Sequence, residues 1–307
     1  MIFSQTEESL AYQLLSHVGY FRLSGYSIPF QRPAAPGFAP HTYLQGTSFS
    51  QVADLYRFDE ALRHLCGEAL QRIEVSLRAV VCNKLSMKHS NPHWFAVPYV
   101  FLTPTPLELQ AGKDLVSRIL RALQFDYVSG MPVAGRKAGL YPYLDNYYAK
   151  HWGPAPGWML REVGSFGLWS KIFGELADNA IRQTIANEFK YPDKKPIDET
   201  LLRGWTHTLS VFRNSCAHHH RLVYRAISFT PGTPSNANWD QMVPPNSPTV
   251  RSVLGVIALL ERNTMTGSVW LARVRALLDQ FEKLINIDAA LGFPSSWQHD
   301  PIWSIPP

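Results

Sequence analysis

The strongest pattern in the sequence is a stripe of apolar residues between Gln51 and Met87. Apolar side chains recur there in steps of three and four, which brings them to one face of a helix. We therefore predict a long helix with a buried face over this range. The stripe contains Leu55, Phe58, Leu62, Leu65, Ala69, Ile73 and Leu77.

A second clear helix is predicted after Asp198, which can cap its first turn. If this helix continues through the following histidines, His218 shares a solvent-exposed face with Asn214, four residues earlier. On the same helix His219 would flank the buried face, and His220 would point back toward the core. The buried face comprises Leu202, Trp205, Leu209, Phe212 and Cys216.

Weaker periodic patterns predict further helices over Leu10–Val18, 107–125, 166–189 and 250–287. The last range is expected to form two helices that are broken near Gly267. No stretch alternates long enough between polar and apolar residues to indicate a sheet. The sequence therefore predicts an all-α fold.

The same patterns divide the chain into four parts. Residues 1–50 form an irregular or helical segment with many aromatic side chains, and 51–225 form a helical core. Five prolines mark 226–250 as an exposed loop, and 251–307 contain C-terminal helices and an irregular tail.

The composition fits a packed protein, since 46% of its 307 residues are hydrophobic. The longest apolar stretch, at 253–260, is far shorter than the roughly 20 residues that a membrane-spanning helix needs. The N-terminus lacks a signal-peptide pattern, and the three cysteines have no metal-binding spacing. We therefore expect a cytoplasmic protein without a membrane partner.

The positive charge is concentrated in one stretch. The whole chain carries a formal charge of only +5, but 201–239 contain four Arg, four His and no Asp or Glu. This local excess favours an anionic partner such as RNA.

Metal-dependent chemistry has little support in the sequence. His218, His219 and His220 follow Cys216 closely, but consecutive residues on a helix diverge by about 100° and cannot share one ion. We favour histidines divided between surface and core, and we predict no metal site. The turn at 192–195 matches a metal-dependent nuclease pattern only partly, because one Asp would have to serve twice.

Three residues of the second helix carry chemistry that suits RNA cleavage. His218 could move a proton from the 2′-hydroxyl and to the leaving 5′-oxygen, and Arg213 could stabilise the phosphate as its charge grows. Asn214 could orient either group. The plainer alternative is that these are ordinary surface residues that follow a core helix.

Helix geometry separates Arg213 and His218 by about 140° around the axis. One helix therefore directs them poorly at the same phosphorus atom. A second copy, antiparallel across a two-fold axis, would place both sets in one basic cleft. We therefore expect a homodimer with a composite active site.

Four blocks in order carry a resemblance to a known family: 19–30 (GYFRLSGYSIPF), 47–81, 158–173 (WMLREVGSFGLWSKIF) and 213–225 (RNSCAHHHRLVYR). The chain resembles the Abi family of abortive-infection proteins, of the AbiD/AbiF type, within the HEPN superfamily. The resemblance implies a HEPN-type helical bundle and a metal-independent endoribonuclease without cofactors, acting in phage defence. It implies that the R-x4-6-H motif is Arg213 and His218, with Asn214 beside the arginine, and that a structured small RNA is a possible partner.

Four further residues are candidates near this motif. Glu74 and Arg78 lie four apart in the second block, either as a surface ion pair or as a supporting pair that turns Arg78 toward an RNA cleft. Arg221 and Arg225, in the acid-free stretch, are candidate RNA contacts.

Three classes of function follow from these observations. The first is a metal-independent endoribonuclease in which Arg213, Asn214 and His218 are catalytic. The second is a non-catalytic module that binds a structured small RNA with the same residues. The third is a scaffold that senses a phage protein and has no affinity for RNA.

Overall fold

The computed structural model describes residues 5–33, 42–97, 99–101, 115–126, 129–134, 139–236 and 238–303. Within these ranges the chain is mainly helical and its one sheet has two short strands, so the prediction of an all-α fold is confirmed. The helices are α1 (Gln5–His17), α2 (Tyr20–Ser27), α3 (Phe49–His89), α4 (115–122 in its described part), α5 (Pro142–Tyr148), α6 (Gly157–Val163), α7 (Phe166–Gly174), α8 (Asn179–Ala186), α9 (Glu199–Ala217), α10 (Val250–Glu261), α11 (Trp270–Phe281) and α12 (Ile287–Leu291).

Helix α3 is the long central helix against which most other helices pack. It has 41 residues and is therefore roughly 60 Å long. Ser48 and Gln51 form a capping box at its start, because each side chain bonds to the other residue's backbone N–H. Helices α1, α2, α6, α7, α8, α9, α10 and α11 all pack against it. The predicted apolar stripe is buried in these contacts.

Helix α10 closes the core on the side of α3 and α9. All twelve of its residues are buried, including Arg251 and Glu261. Arg251 is paired with Asp300 at 2.9 Å and donates to the Gln241 carbonyl at 2.9 Å, so its buried charge is compensated. No helix among the described residues is long and apolar enough to cross a membrane.

Two sequence expectations about the elements are wrong. The range 166–189 forms two helices, α7 and α8, because α7 ends at Gly174 and Asp178 caps a new helix. Phe125–Asp126 pairs with Met131–Pro132 as an antiparallel hairpin, because Gln124 adopts a left-handed conformation that ends α4.

The other element predictions have different outcomes. The break near Gly267 is confirmed, since this glycine has φ +71° in the turn between α10 and α11. Residues 107–114 of the helix predicted over 107–125 lie outside the described residues. The division of the chain into four parts stays a prediction.

Candidate active site

A buried carboxylate joins two arginines where α3 packs against α9. Glu74 of α3 is paired with Arg78 one turn later, and its Oε2 lies 3.7 Å from Nε of Arg213 on α9. Arg78 also donates to the Arg161 carbonyl at 3.0 Å, which ties α3 to α6. The sequence left open whether Glu74 and Arg78 form a surface pair. Because Glu74 is buried, the surface interpretation is wrong.

Glu74, Arg78 and Arg213 line a cavity of about 600 Å³. Two guanidinium groups share one carboxylate here, so the cavity carries an excess of positive charge. Arg213 is the more accessible of the two, with 43% of its side chain exposed against 18% for Arg78. The lining also includes Arg63, His64, Gly67, Gln71, Val75, Cys216, Ala217 and His219.

Helix α9 ends at Ala217 and does not continue through the histidines. His219 N–H donates to the Cys216 carbonyl at 3.1 Å, and His220 N–H donates to the Ser215 carbonyl at 2.9 Å. Together with the left-handed φ of +58° at His219, these bonds form a Schellman motif. The helix therefore stops at Ala217.

Because α9 ends at Ala217, the three histidines follow the helix and do not lie on one of its faces. All three are exposed, so the expectation that His220 points toward the core is wrong. His219 lines the cavity, whereas His218 is the C-cap residue and lies outside the cavity lining. The His218 and His220 rings are 6.2 Å apart.

Arg213 and Asn214 remain together at the end of α9. The Oδ1 atom of Asn214 accepts a hydrogen bond from Nη1 of Arg213 at 3.4 Å, and the Asn214 carbonyl accepts from the His218 N–H at 2.9 Å. The structure thus places the three predicted catalytic residues together at the C-terminal end of α9, but brings only Arg213 into the cavity of a single chain.

A fully buried aspartate holds the chain that follows the histidines. Oδ1 of Asp59 on α3 accepts from the N–H groups of Leu222 and Val223 at 2.9 and 3.0 Å. Oδ2 is paired with Arg63 and accepts from the Tyr26 hydroxyl at 2.7 Å. Burial and the Asp59 charge raise the pKa of Tyr26 above its ordinary range, so this hydroxyl stays a donor.

Two arginines fix the backbone of the histidines directly. Nη1 of Arg22 on α2 donates to the His219 carbonyl at 2.8 Å, and Nη1 of Arg63 donates to the His220 carbonyl at 3.5 Å. The segment from His218 to Val223, the histidine turn, is therefore held from α2 and α3 at once.

Sequence reasoning missed Tyr26, Asp59, Arg63 and Arg22. One signal was available, because Asp59 and Arg63 stand four residues apart beside the apolar stripe of α3. A charged pair next to a buried face indicates either a partner elsewhere in the chain or a functional role.

The remaining basic candidates lie elsewhere. Nη1 of Arg221 donates to the Gly25 carbonyl, so this side chain joins the end of the histidine turn to α2. Arg221 and Arg225 both line a separate small cavity of about 40 Å³ that also contains Phe212 and Val253. Their role as RNA contacts stays a prediction, and the structure does not bring them to the cavity of Glu74.

The two cysteines of this region, Cys66 and Cys216, are free, and their thiols are in contact. A hydrogen bond with Cys216 and burial raise the pKa of the Cys66 thiol, so it stays protonated. Within the part of the chain that the structure describes, no three His, Cys, Asp or Glu residues are grouped so that they could hold a metal ion.

The fold and the cavity define an α-helical protein with a cationic cleft built around a buried glutamate. The profile of the Abi-like protein family matches residues 13–224, which is more than half of the chain, and the chain belongs to this family. All the cavity residues lie inside the matched range. Membership indicates a role in abortive-infection defence. Searches of curated proteins and of solved structures found no match.

Proposed function

We propose that the protein is a metal-independent endoribonuclease of the HEPN type that acts in abortive-infection defence. The observation that carries the proposal is the accessible Arg213, fixed beside the buried Glu74 in a cationic cavity at the end of α9. A guanidinium group held in this way can bind the RNA phosphate and stabilise the charge that grows in the transition state. Asn214, bonded to Arg213, limits the orientation of its free donors.

In this proposal His218 carries out both proton transfers of the cleavage reaction. Its neutral imidazole takes the proton from the 2′-hydroxyl, whose oxygen attacks the phosphorus and displaces the 5′-oxygen. An imidazolium then protonates that leaving oxygen, and a 2′,3′-cyclic phosphate remains. Because the RNA supplies its own nucleophile, the reaction as written needs only these side chains.

The position of His218 outside the cavity supports a composite site. His218 is exposed at the end of α9, so a second copy of the chain could bring its own His218 to the Arg213 of the first. The alternative acid–base group is His219, which already lines the cavity. We favour His218, since the left-handed backbone and the Arg22 bond to its carbonyl give His219 a structural role.

The first experiment separates these histidines. Purified wild type and the variants His218→Ala, His219→Gly and His220→Ala are incubated with labelled single-stranded RNA in EDTA, and the product ends are analysed. We expect His218→Ala to lose about 10²- to 10⁴-fold in rate, as for removal of an acid–base catalyst. His219→Gly keeps the left-handed conformation, and His220→Ala is the matched exposed control. Loss of activity in His219→Gly with a normal His218→Ala would transfer the catalytic role to His219.

A mixing experiment tests the composite site. Arg213→Ala and His218→Ala are each expected to be inactive alone, but a mixed dimer retains one complete pair of Arg213 and His218. An equal mixture should therefore recover about a quarter of wild-type activity if subunits exchange freely. An inactive mixture, with exchange demonstrated by differently tagged chains, would place both residues in a single-chain site.

The second candidate function is a non-catalytic RNA-binding module. The observation that favours it is that the cavity of one chain contains Arg213 and Arg78 but not His218. Binding of RNA by both wild type and His218→Ala, without product from either, would support this module. Loss of affinity in Arg213→Ala would then locate the RNA in the cavity.

A further inference from the structure

A further cavity lies at the C-terminal helices α10 and α11. It has a volume of about 530 Å³ and is formed where the end of α10 and the start of α11 meet the turn that contains Lys194. Asn263 fixes this turn, since it accepts from the Lys190 N–H at 2.9 Å and donates to the Lys190 carbonyl at 3.1 Å. The volume lies in the range typical of small-molecule sites.

The charges around this cavity favour an anion. Glu261, the one carboxylate among its described lining residues, is 3% exposed; it is paired with Arg72 at 2.7 Å and accepts from the Ser268 hydroxyl at 2.5 Å. In the part of the chain that the structure describes, no side-chain hydrogen bond or ion pair engages the charged groups of Lys194 and Arg262, which are both exposed. Two unpartnered cations therefore flank a cavity whose only acid is compensated.

The rest of the lining combines an apolar wall with the polar residues Thr266, Ser268 and Arg275. Leu271 and Trp270 contribute apolar surface, and Trp303 is 2% exposed. The backbone carbonyl of Trp303 accepts from Arg275 at 2.9 Å, which joins the C-terminal part of the chain to α11 at this wall. The lining thus offers apolar surface beside two cations, as a nucleotide base and its phosphates require.

We propose that this cavity binds a mononucleotide. Lys194 and Arg262 would hold the phosphate groups, while the apolar side chains of the wall would accommodate the base. A phosphate ion alone would leave the apolar wall and most of the volume empty. The site is independent of the proposed nuclease chemistry.

The cavity shares a structural element with the candidate active site. Arg72, which neutralises Glu261, follows Gln71 on α3, and Gln71 lines the cavity of Glu74. Arg72 is also paired with Glu68 at 2.5 Å, and Glu68 with Arg273 of α11 at 2.5 Å. A bound nucleotide would thus lie against the charge network that joins α3, α10 and α11.

Calorimetric titration of the full chain tests this proposal. AMP, ATP and inorganic phosphate are titrated into wild type and into the double variant Lys194→Glu/Arg262→Glu. The matched control is Lys150→Glu/Lys283→Glu, which makes the same charge change at two exposed lysines outside the cavity. We expect a nucleotide to bind wild type and the control equally, and the cavity variant to bind about tenfold or more weakly, since two charge-assisted contacts are lost.

A third variant, Arg213→Ala, distinguishes this cavity from the candidate active site. Unchanged nucleotide affinity in Arg213→Ala supports the proposal, whether or not that variant has lost activity on RNA. The proposal is overturned if no nucleotide binds at millimolar concentration, or if Arg213→Ala rather than the cavity variant loses binding. Equal affinity for phosphate and nucleotide would refute the role of the apolar wall. Circular dichroism confirms that each variant is folded.

Discussion

At the scale of single residues, Glu74 links the two arginines of the candidate active site. Its carboxylate is the one acid among the described residues that line the cavity, and it contacts both Arg78 and Arg213. The sequence placed Glu74 and Arg78 on one helical face, but the burial that makes the pair important comes from α6 and α9. Arg213 keeps 43% of its side chain exposed, although Glu74 and Asn214 both contact its guanidinium group.

Replacement of this carboxylate should destabilise the fold and impair the site together. In Glu74→Gln two guanidinium groups lose their counterion, so we expect the free energy of unfolding to fall by about 3 kcal/mol, as for other broken buried pairs. Urea denaturation measures this change, with the exposed Glu8→Gln as the control. An unfolding free energy equal to that of wild type would show that solvent, and not Glu74, compensates the charges of Arg78 and Arg213.

The left-handed residue at the end of α9 gives a second residue-scale prediction. His219 has φ +58°, which costs a side chain with a Cβ atom about 1 kcal/mol that glycine does not incur. We expect His219→Gly to raise the unfolding free energy by about that amount. His218→Gly, which changes a residue with φ −90°, should not stabilise the protein. A destabilised His219→Gly would indicate that the imidazole makes contacts that outweigh the backbone strain.

At the scale of elements, the histidine turn depends on α3 for its position. Asp59 accepts from the backbone of Leu222 and Val223, and the turn has no regular secondary structure of its own. The sequence signal at Asp59 did not reveal this link, because 163 positions separate Asp59 from Leu222. Only the packing of α9 against α3 brings them together.

Loss of the Asp59 charge should release the turn before it unfolds the molecule. In Asp59→Asn the pair with Arg63 is broken, and the acceptor for the Leu222 and Val223 amides is weakened. We expect faster hydrogen exchange at these two amides, while amides in the middle of α10 remain protected. Asp54→Asn, at the half-buried partner of Arg57, is the control. Uniformly faster exchange across α10 would instead show that Asp59 supports the whole core.

At the scale of the whole molecule, buried tyrosines predict the response to alkali. Burial raises the pKa of Tyr191 to about 12, and burial with the Asp59 charge raises that of Tyr26 from its ordinary 10. A raised folded pKa means that stability is present below pH 10 and is lost as the pH rises through the folded pKa. We therefore expect the unfolding free energy to decrease from about pH 10 upward.

The Tyr26→Phe variant isolates one part of this response. It should be less stable than wild type at pH 8, because the hydrogen bond to Asp59 is lost, but its stability should fall less between pH 9 and 11. Denaturant titrations at these pH values measure both effects. Parallel decreases in the two proteins would mean that folding does not raise the pKa of Tyr26.

The sequence by itself determined the helical class of the molecule and the buried faces of α3 and α9. These features depend on spacing within a single element, where a period of three to four residues has one structural solution. The break near Gly267 and the cap at Asp198 were visible for the same local reason.

Only the tertiary structure decided which polar residues are buried and what they contact. Helix α9 ends at Ala217, directly after Cys216, the last apolar position of its buried face. The turn that follows places His219 rather than His218 in the cavity lining. The burial of Glu74 and the bonds from Asp59 and Arg22 to the histidine turn depend on helices that are distant in sequence. Such contacts follow from packing, since the free energy of a buried charge depends on partners that local periodicity does not encode.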